Sequence, residues 1–155
     1  MPLAWKHPGG DFEISTDPSR IDIALVHRFL TTSYWAKGIP EATVRRSIEH
    51  SLCFGVYRGP RQVGFARVVS DYATFAYLAD VFVVEEFRGS GLAVWLMQCI
   101  VDHPELQGLR RWSLVTRDAH GIYRKFGFRE LSAPERWMER HNPDIYKSLA
   151  SNPRT

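Results

Sequence analysis

The sequence predicts an α+β domain, a central mixed and mostly antiparallel sheet with helices on both faces, from three observations. Segments of strand period and helix period alternate along the chain, two apolar strands flank a four-residue turn, and a strand passes through a glycine turn into an amphipathic helix. The 155 residues are 45% hydrophobic and 13% aromatic, enough for one well-filled core, so residues 1–155 read as a single domain.

FEIS (12–15) alternates as a short strand, and Asp17-Pro18 places an N-cap residue before a proline at the first helical position. The helix expected there carries Ile21, Leu25 and Phe29 on one face, flanked by Val26 and Leu30, and ends before Tyr34-Trp35. Pro40 opens a second helix, with Val44 and Ile48 on its buried side. LCFGVY (52–57) and QVGFARVV (62–69) flank Arg58-Gly59-Pro60-Arg61, a hairpin signature. A strand over residues 74–84 returns alongside and leads straight into Arg88-Gly89-Ser90-Gly91. Beyond that turn, Leu92, Trp95, Leu96, Cys99 and Ile100 share one helical face, and Pro104 limits the helix. WSLVT (112–116) is the next strand, Ala119 to Phe126 a short helix stopped by Gly127, and Phe128 begins a closing strand.

The formal net charge is +3, but the 20 Lys and Arg are interspersed among 17 Asp and Glu, which speaks against a nucleic-acid partner and suits a small anionic ligand. Cys53 and Cys99 lie in apolar segments and make no disulfide framework, as in a reducing cytoplasm. The first ten residues hold no signal-like apolar stretch, and no window approaches the roughly 20 apolar residues of a membrane span, so a soluble cytoplasmic protein without a membrane partner is expected. A homodimer is compatible with this composition. The histidines and cysteines show neither CxxC nor HExxH spacing, so no metal is expected.

The glycine turn carries the first chemical signal. A strand that ends in RGSG and continues as a helix leaves the first helical N–H groups unpaired and adds about half a positive charge there, an arrangement that suits a diphosphate. Gly89 and Gly91 keep Cβ atoms out of the way, and Arg88 adds charge or braces the loop. Taken alone, the same residues also describe an ordinary strand-to-helix turn.

Arg88-Gly89-Ser90-Gly91-Leu92-Ala93 resembles the acyl-CoA-binding pattern (R/Q)xxGx(G/A) of the GNAT superfamily of N-acetyltransferases. Tyr123-Arg124-Lys125-Phe126-Gly127-Phe128 is similar to a second landmark of that superfamily, a tyrosine four residues before Gly-Phe, and the element order matches over residues 12–132. The resemblance implies a GNAT fold and acetyl-CoA as co-substrate, with the pantetheine arm along Val81, Phe82 and Val83 and the diphosphate on the amides from Gly89 through Ser90, Gly91, Leu92 and Ala93 to Val94. Ala93 stands where glycine is commoner, and in place of the asparagine often found before the tyrosine helix stands Thr116-Arg117-Asp118-Ala119-His120-Gly121.

Acetylation of an amine needs a neutral nucleophile, a stabilised oxyanion and a proton for the departing thiolate. Asp80 interrupts the apolar YLADVFVV and is the leading base; its alternative is a structural acid paired with Arg67. Tyr123 is the general-acid candidate, since a phenol near pKa 10 is well matched to a thiol near 8.5, with simple packing as its alternative. His120, three residues earlier, is a relay candidate or a solvated helix-end residue. By the family's geometry the Val83 N–H supplies the oxyanion contact, and the acceptor pocket draws on Tyr34, Trp35, Asp71 and Tyr72. Aromatic faces with a carboxylate favour a small-molecule primary amine attacking directly in a ternary complex; Trp35 as core and Asp71 as turn chemistry remain open alternatives. A peptide amine and a non-catalytic acyl-CoA-binding module are the rival functions.

Overall fold

The structure is a computed structural model that describes residues 1–151; the last four residues of the expected domain lie outside the described residues. Six strands form one sheet in sequence order: β1 (Ala4–Lys6), β2 (Phe12–Ser15), β3 (Leu52–Arg58), β4 (Arg61–Ser70), β5 (Phe75–Val83) and β6 (Arg111–Ser113). The first four pairings are antiparallel and β5–β6 is parallel, so the sheet is mixed and mostly antiparallel. Side chains alternate across it as the strand period demands. Phe54, Val56, Val63, Ala66 and Val68 meet Leu92, Leu96 and Ile100 of α3 (Leu92–Val101) on one face. On the other, Cys53, Phe65 and Phe82 meet Val26 and Leu30 of α1 (Ile23–Thr31) and Val44 and Ile48 of α2 (Glu41–Glu49). None of the described helices is long and apolar enough to cross a membrane.

The hairpin at 58–61 is present, with Arg58 paired to Arg61 and Gly59 at φ +57°, a conformation glycine adopts without strain. Four elements depart from the sequence expectation. Asp17 caps a single 3-10 turn at Pro18–Arg20, and α1 starts later, on Asp22. Ile21 turns inward in extended conformation while the Asp22 N–H donates to the buried Gln62 side chain at 2.7 Å, a tertiary bond that resets the cap. A 3-10 turn (Glu85–Phe87) separates β5 from the glycine turn. The N-terminal β1 was not expected, and no strand follows Phe128 among the described residues. Residues 129–144 contain Pro134 and Pro143 and no Val, Ile or Thr, so they offer little to a pleated ladder. They lead instead to α5 (Ile145–Ser151), whose Tyr146 packs against the α1/α2 core.

Candidate active site

The pairing of β5 with β6 runs over only three positions, Phe75↔Arg111, Ala76↔Trp112 and Tyr77↔Ser113. From Leu78 onward β5 has β4 on one side and no strand on the other among the described residues. A bulge marks the upper part of this open stretch: Arg67 opposes Ala79 and Phe65 opposes Phe82, leaving Asp80 and Val81 against Ala66 alone. Asp80 takes φ +56°, a left-handed conformation that a non-glycine residue adopts only when its surroundings hold it there.

Those surroundings are visible. Arg67 Nε donates to Asp80 Oδ2 at 2.9 Å, and the Trp35 indole Nε1 donates to Oδ1 at 2.9 Å. Arg67 also donates to Ser51 Oγ, which in turn donates to the Ser47 carbonyl. The Asp80 side chain is 10% exposed and that of Arg67 19%, so this ion pair is largely withdrawn from water. Cys53, opposite Arg67 on β3, is buried, and desolvation pushes its thiol up to about 12, which removes it as a nucleophile at neutral pH.

At the end of β5 the Val84 N–H donates to the Val63 carbonyl at 2.8 Å, which makes Gly64↔Val83 a non-hydrogen-bonded pair. The amide of Val83 therefore points away from β4, toward the open side. Its carbonyl accepts from Arg88 Nε at 2.9 Å, so Arg88 braces the loop against the strand and also lies 6.0 Å from the Phe29 ring. Phe82, by contrast, faces the helices and stacks on Phe29 with centroids 3.9 Å apart. Val81 packs against the α3-side core.

Gly89 and Gly91 sit at φ +79° and +81°, Gly91 as the N-cap of α3, and an added Cβ at either would meet nothing within 4 Å. Positive φ, rather than crowding by the protein, is what demands glycine there, and the space beyond is open. The first bond of α3 is from Trp95 N–H to the Gly91 carbonyl. The amides of Gly89, Ser90, Gly91, Leu92, Ala93 and Val94 donate to no acceptor among the described residues, while Ser90 Oγ folds back onto the Phe87 carbonyl. Unpaired amides at a helix start, with open space in front of them, are the donors an anion such as a diphosphate would need.

Tyr123 lies on α4 (His120–Arg124), a turn closed by Gly127 at φ +87°. With Trp112–Thr116, His120, Arg124 and residues 128–131 it lines a cavity of about 280 Å³ along β6 and the segment that follows it. Burial, with smaller contributions from Tyr34 and Asp118, raises its pKa. It is therefore protonated at neutral pH, though a less ready donor than a free phenol.

Of the four acceptor-pocket residues, the structure brings only two together. Tyr34 and Trp35 meet edge-on at 5.1 Å; Tyr34 Oη accepts the Arg117 N–H at 3.1 Å. Asp71 is a correction: its carboxylate accepts from the Thr74 hydroxyl and the amides of Ala73, Thr74 and Phe75, bonds that hold it well below the usual carboxylate range and leave it closing its own turn. Tyr72, at φ +61° in the same turn, is exposed; its hydroxyl pKa is raised by partial burial and by the charge of Glu105 beyond the far end of α3. Sequence reasoning missed the Trp35–Asp80 bond, which spans 45 residues, and the approach of Tyr146 to the Asp80–Arg67 pair; neither leaves a local signal. No group of three or more His, Cys, Asp or Glu side chains able to hold a metal occurs among the described residues.

A strand open on one side thus runs into a loop of unpaired amides, and the segment after β6 carries Tyr123 on its short helix. The family model of the Acetyltransferase (GNAT) family matches residues 23–128, more than half of the chain. The chain belongs to the GNAT family. A GNAT protein from Xanthomonas campestris pv. campestris, classed as a candidate acetyltransferase, shares 54% identity and a TM-score of 0.86, covering 88% of this chain and 97% of its own. A Gibberella zeae candidate acetyltransferase is 32% identical over 147 residues, 80% of this chain and 81% of that one. The fold also extends to a candidate acetyltransferase from Clostridium acetobutylicum determined with acetyl-CoA, at 14% identity and a TM-score of 0.58 over 99% of this chain and 100% of that one.

Proposed function

We propose that this GNAT protein transfers the acetyl group of acetyl-CoA to the primary amine of a small molecule within a ternary complex. The observation that carries the reading is the run of six unpartnered amides from Gly89 to Val94, continuous with the open side of β5. These donors offer a diphosphate a site that costs no rearrangement of the loop, since Arg88 already pins it to Val83. Acetyl-CoA supplies an activated thioester, and everything else is asked of the protein. The outward amide of Val83 is the donor for the oxyanion that develops during acyl transfer. Tyr123, kept protonated by burial, gives its proton to the departing thiolate. We assign Asp80 to holding the bulge and Trp35 rather than to deprotonating the amine, because each carboxylate oxygen already accepts a bond and Arg67 balances its charge. The exposed Trp35 ring offers an aromatic face to an incoming amine, while Arg117 already lies over the ring of Tyr34.

Isothermal calorimetry with coenzyme A and acetyl-CoA, followed by an amine-panel assay of free thiol release, tests the reading. Saturable heat for both ligands and thiol release with small primary amines are expected; no heat and no competition at millimolar ligand sinks it. Thiol release with peptides alone redirects the acceptor to a protein amine.

A further inference from the structure

Tyr34 and Trp35 are adjacent in the loop between α1 and α2, yet their polar atoms reach different arms of the splayed sheet. Trp35 Nε1 bonds Asp80 on β5, whereas Tyr34 Oη takes the N–H of Arg117, in the segment that joins β6 to α4. Ring contacts continue the same line. The Arg117 guanidinium lies 3.8 Å from the Tyr34 centroid, Trp35 lies 6.2 Å from Phe29, and Phe29 stacks on Phe82 of β5. The ladder itself cannot join the arms here, because strand pairing ends at Tyr77↔Ser113. α4, with Tyr123, begins three residues beyond Arg117.

We propose that Tyr34 and Trp35 form a brace across the open strands, tying the bulge at Asp80 to the Arg117 amide and thereby setting where Tyr123 stands relative to β5. They are positioning residues on this account. A side chain that only lines an acceptor pocket contributes to amine binding, whereas a brace acts on the approach of the acid to the reacting atoms, and so on kcat. The brace is a property of the fold, and only its effect on rate rests on the acetyltransferase reading.

Tyr34→Phe removes one oxygen from an exposed ring, so the variant folds; Trp35→Phe removes the indole donor. Hydrogen exchange of the protein without ligand is measured over 78–83 and 118–124, away from the amide that loses its acceptor. Each variant should exchange about fivefold or more faster in both segments, the scale of one lost hydrogen bond. In acetyl transfer kcat should fall by a similar factor with the amine KM unchanged. Unchanged exchange in both segments, or a raised amine KM at constant kcat, overturns the brace. Should Trp35→Phe unfold, Tyr34→Phe decides alone. Failure of coenzyme A binding by the unsubstituted protein would overturn the enzymatic reading and leave the exchange result to judge the brace.

Discussion

The two ends of β5 are built on opposite terms. At Ala76 and Tyr77 the strand is paired on both edges, and the turn that feeds it is closed by Asp71 within four residues. Over Leu78–Val83 one edge is open, a bulge carries a left-handed aspartate, and the strand runs on to a loop of idle amides. The two aspartates summarise the contrast. Asp71 draws its partners from its own turn, and Asp80 from Arg67 and Trp35, 13 and 45 residues away. Local closure makes the first end self-sufficient; the second draws the partners of its aspartate from distant elements.

The sharpest way to break that contrast is Asp80→Asn. Asparagine accepts the left-handed backbone, so the substitution isolates the charge and leaves Arg67 largely buried without its counter-ion. Chemical denaturation should show a loss of about 3 kcal/mol, and activity should not recover at high pH. Recovery would instead return Asp80 to the role of base. Next in size, Tyr123→Phe should lower kcat by about 10²-fold with acetyl-CoA affinity unchanged, because the proton transfer proposed for the phenol follows binding. Because burial raises its pKa, the alkaline limb of the wild-type kcat profile should lie above about pH 10 and vanish in the variant. Unaltered turnover removes Tyr123 from the chemistry.

The smallest effect belongs to the closed end. The hydrogen bonds of Thr74, Ala73 and Phe75 depress the folded pKa of Asp71, so its contribution to stability is present above the unfolded carboxyl pKa of about 3.9 and is lost as pH falls through the folded value. The thermal midpoint of Asp71→Asn should therefore sit slightly below wild type at pH 7, and the gap should shrink as pH drops below about 4. A gap that ignores pH, or slower acetyl transfer at unchanged stability, would tie Asp71 to the open end.

Much of the fold was legible because its signals are local. The Gly59-Pro60 hairpin, the apolar face of α3 and the glycine turn each depend on residues within a few positions of one another, as does Gly127 at the end of α4. The reading failed where a distant partner or a missing one decided the outcome. Asp17 looked like the cap of α1, but Gln62 captured the Asp22 amide and moved the start. The closing strand after Phe128 was inferred from element order, while the composition of 129–144 disfavours a ladder. In the candidate site, the unpaired amides after Arg88 and the short helix that carries Tyr123 could be located from their motifs. Asp71 and Tyr72 could not be separated from Tyr34 and Trp35, since all four are polar or aromatic loop residues and only the three-dimensional path shows which of them meet.

By itself the sequence determined the alternation of strands and helices, the turns that require positive φ, and the amides that a helix start after RGSG must leave unpaired, since each follows from backbone sterics and hydrogen-bond geometry over a few residues. Only the tertiary structure decided where β5 parts from β6, which partners fill the Asp80 carboxylate and which aromatic residues span the gap. Those outcomes depend on side chains far apart in the chain, whose encounter is set by the packing of helices on both faces of the sheet.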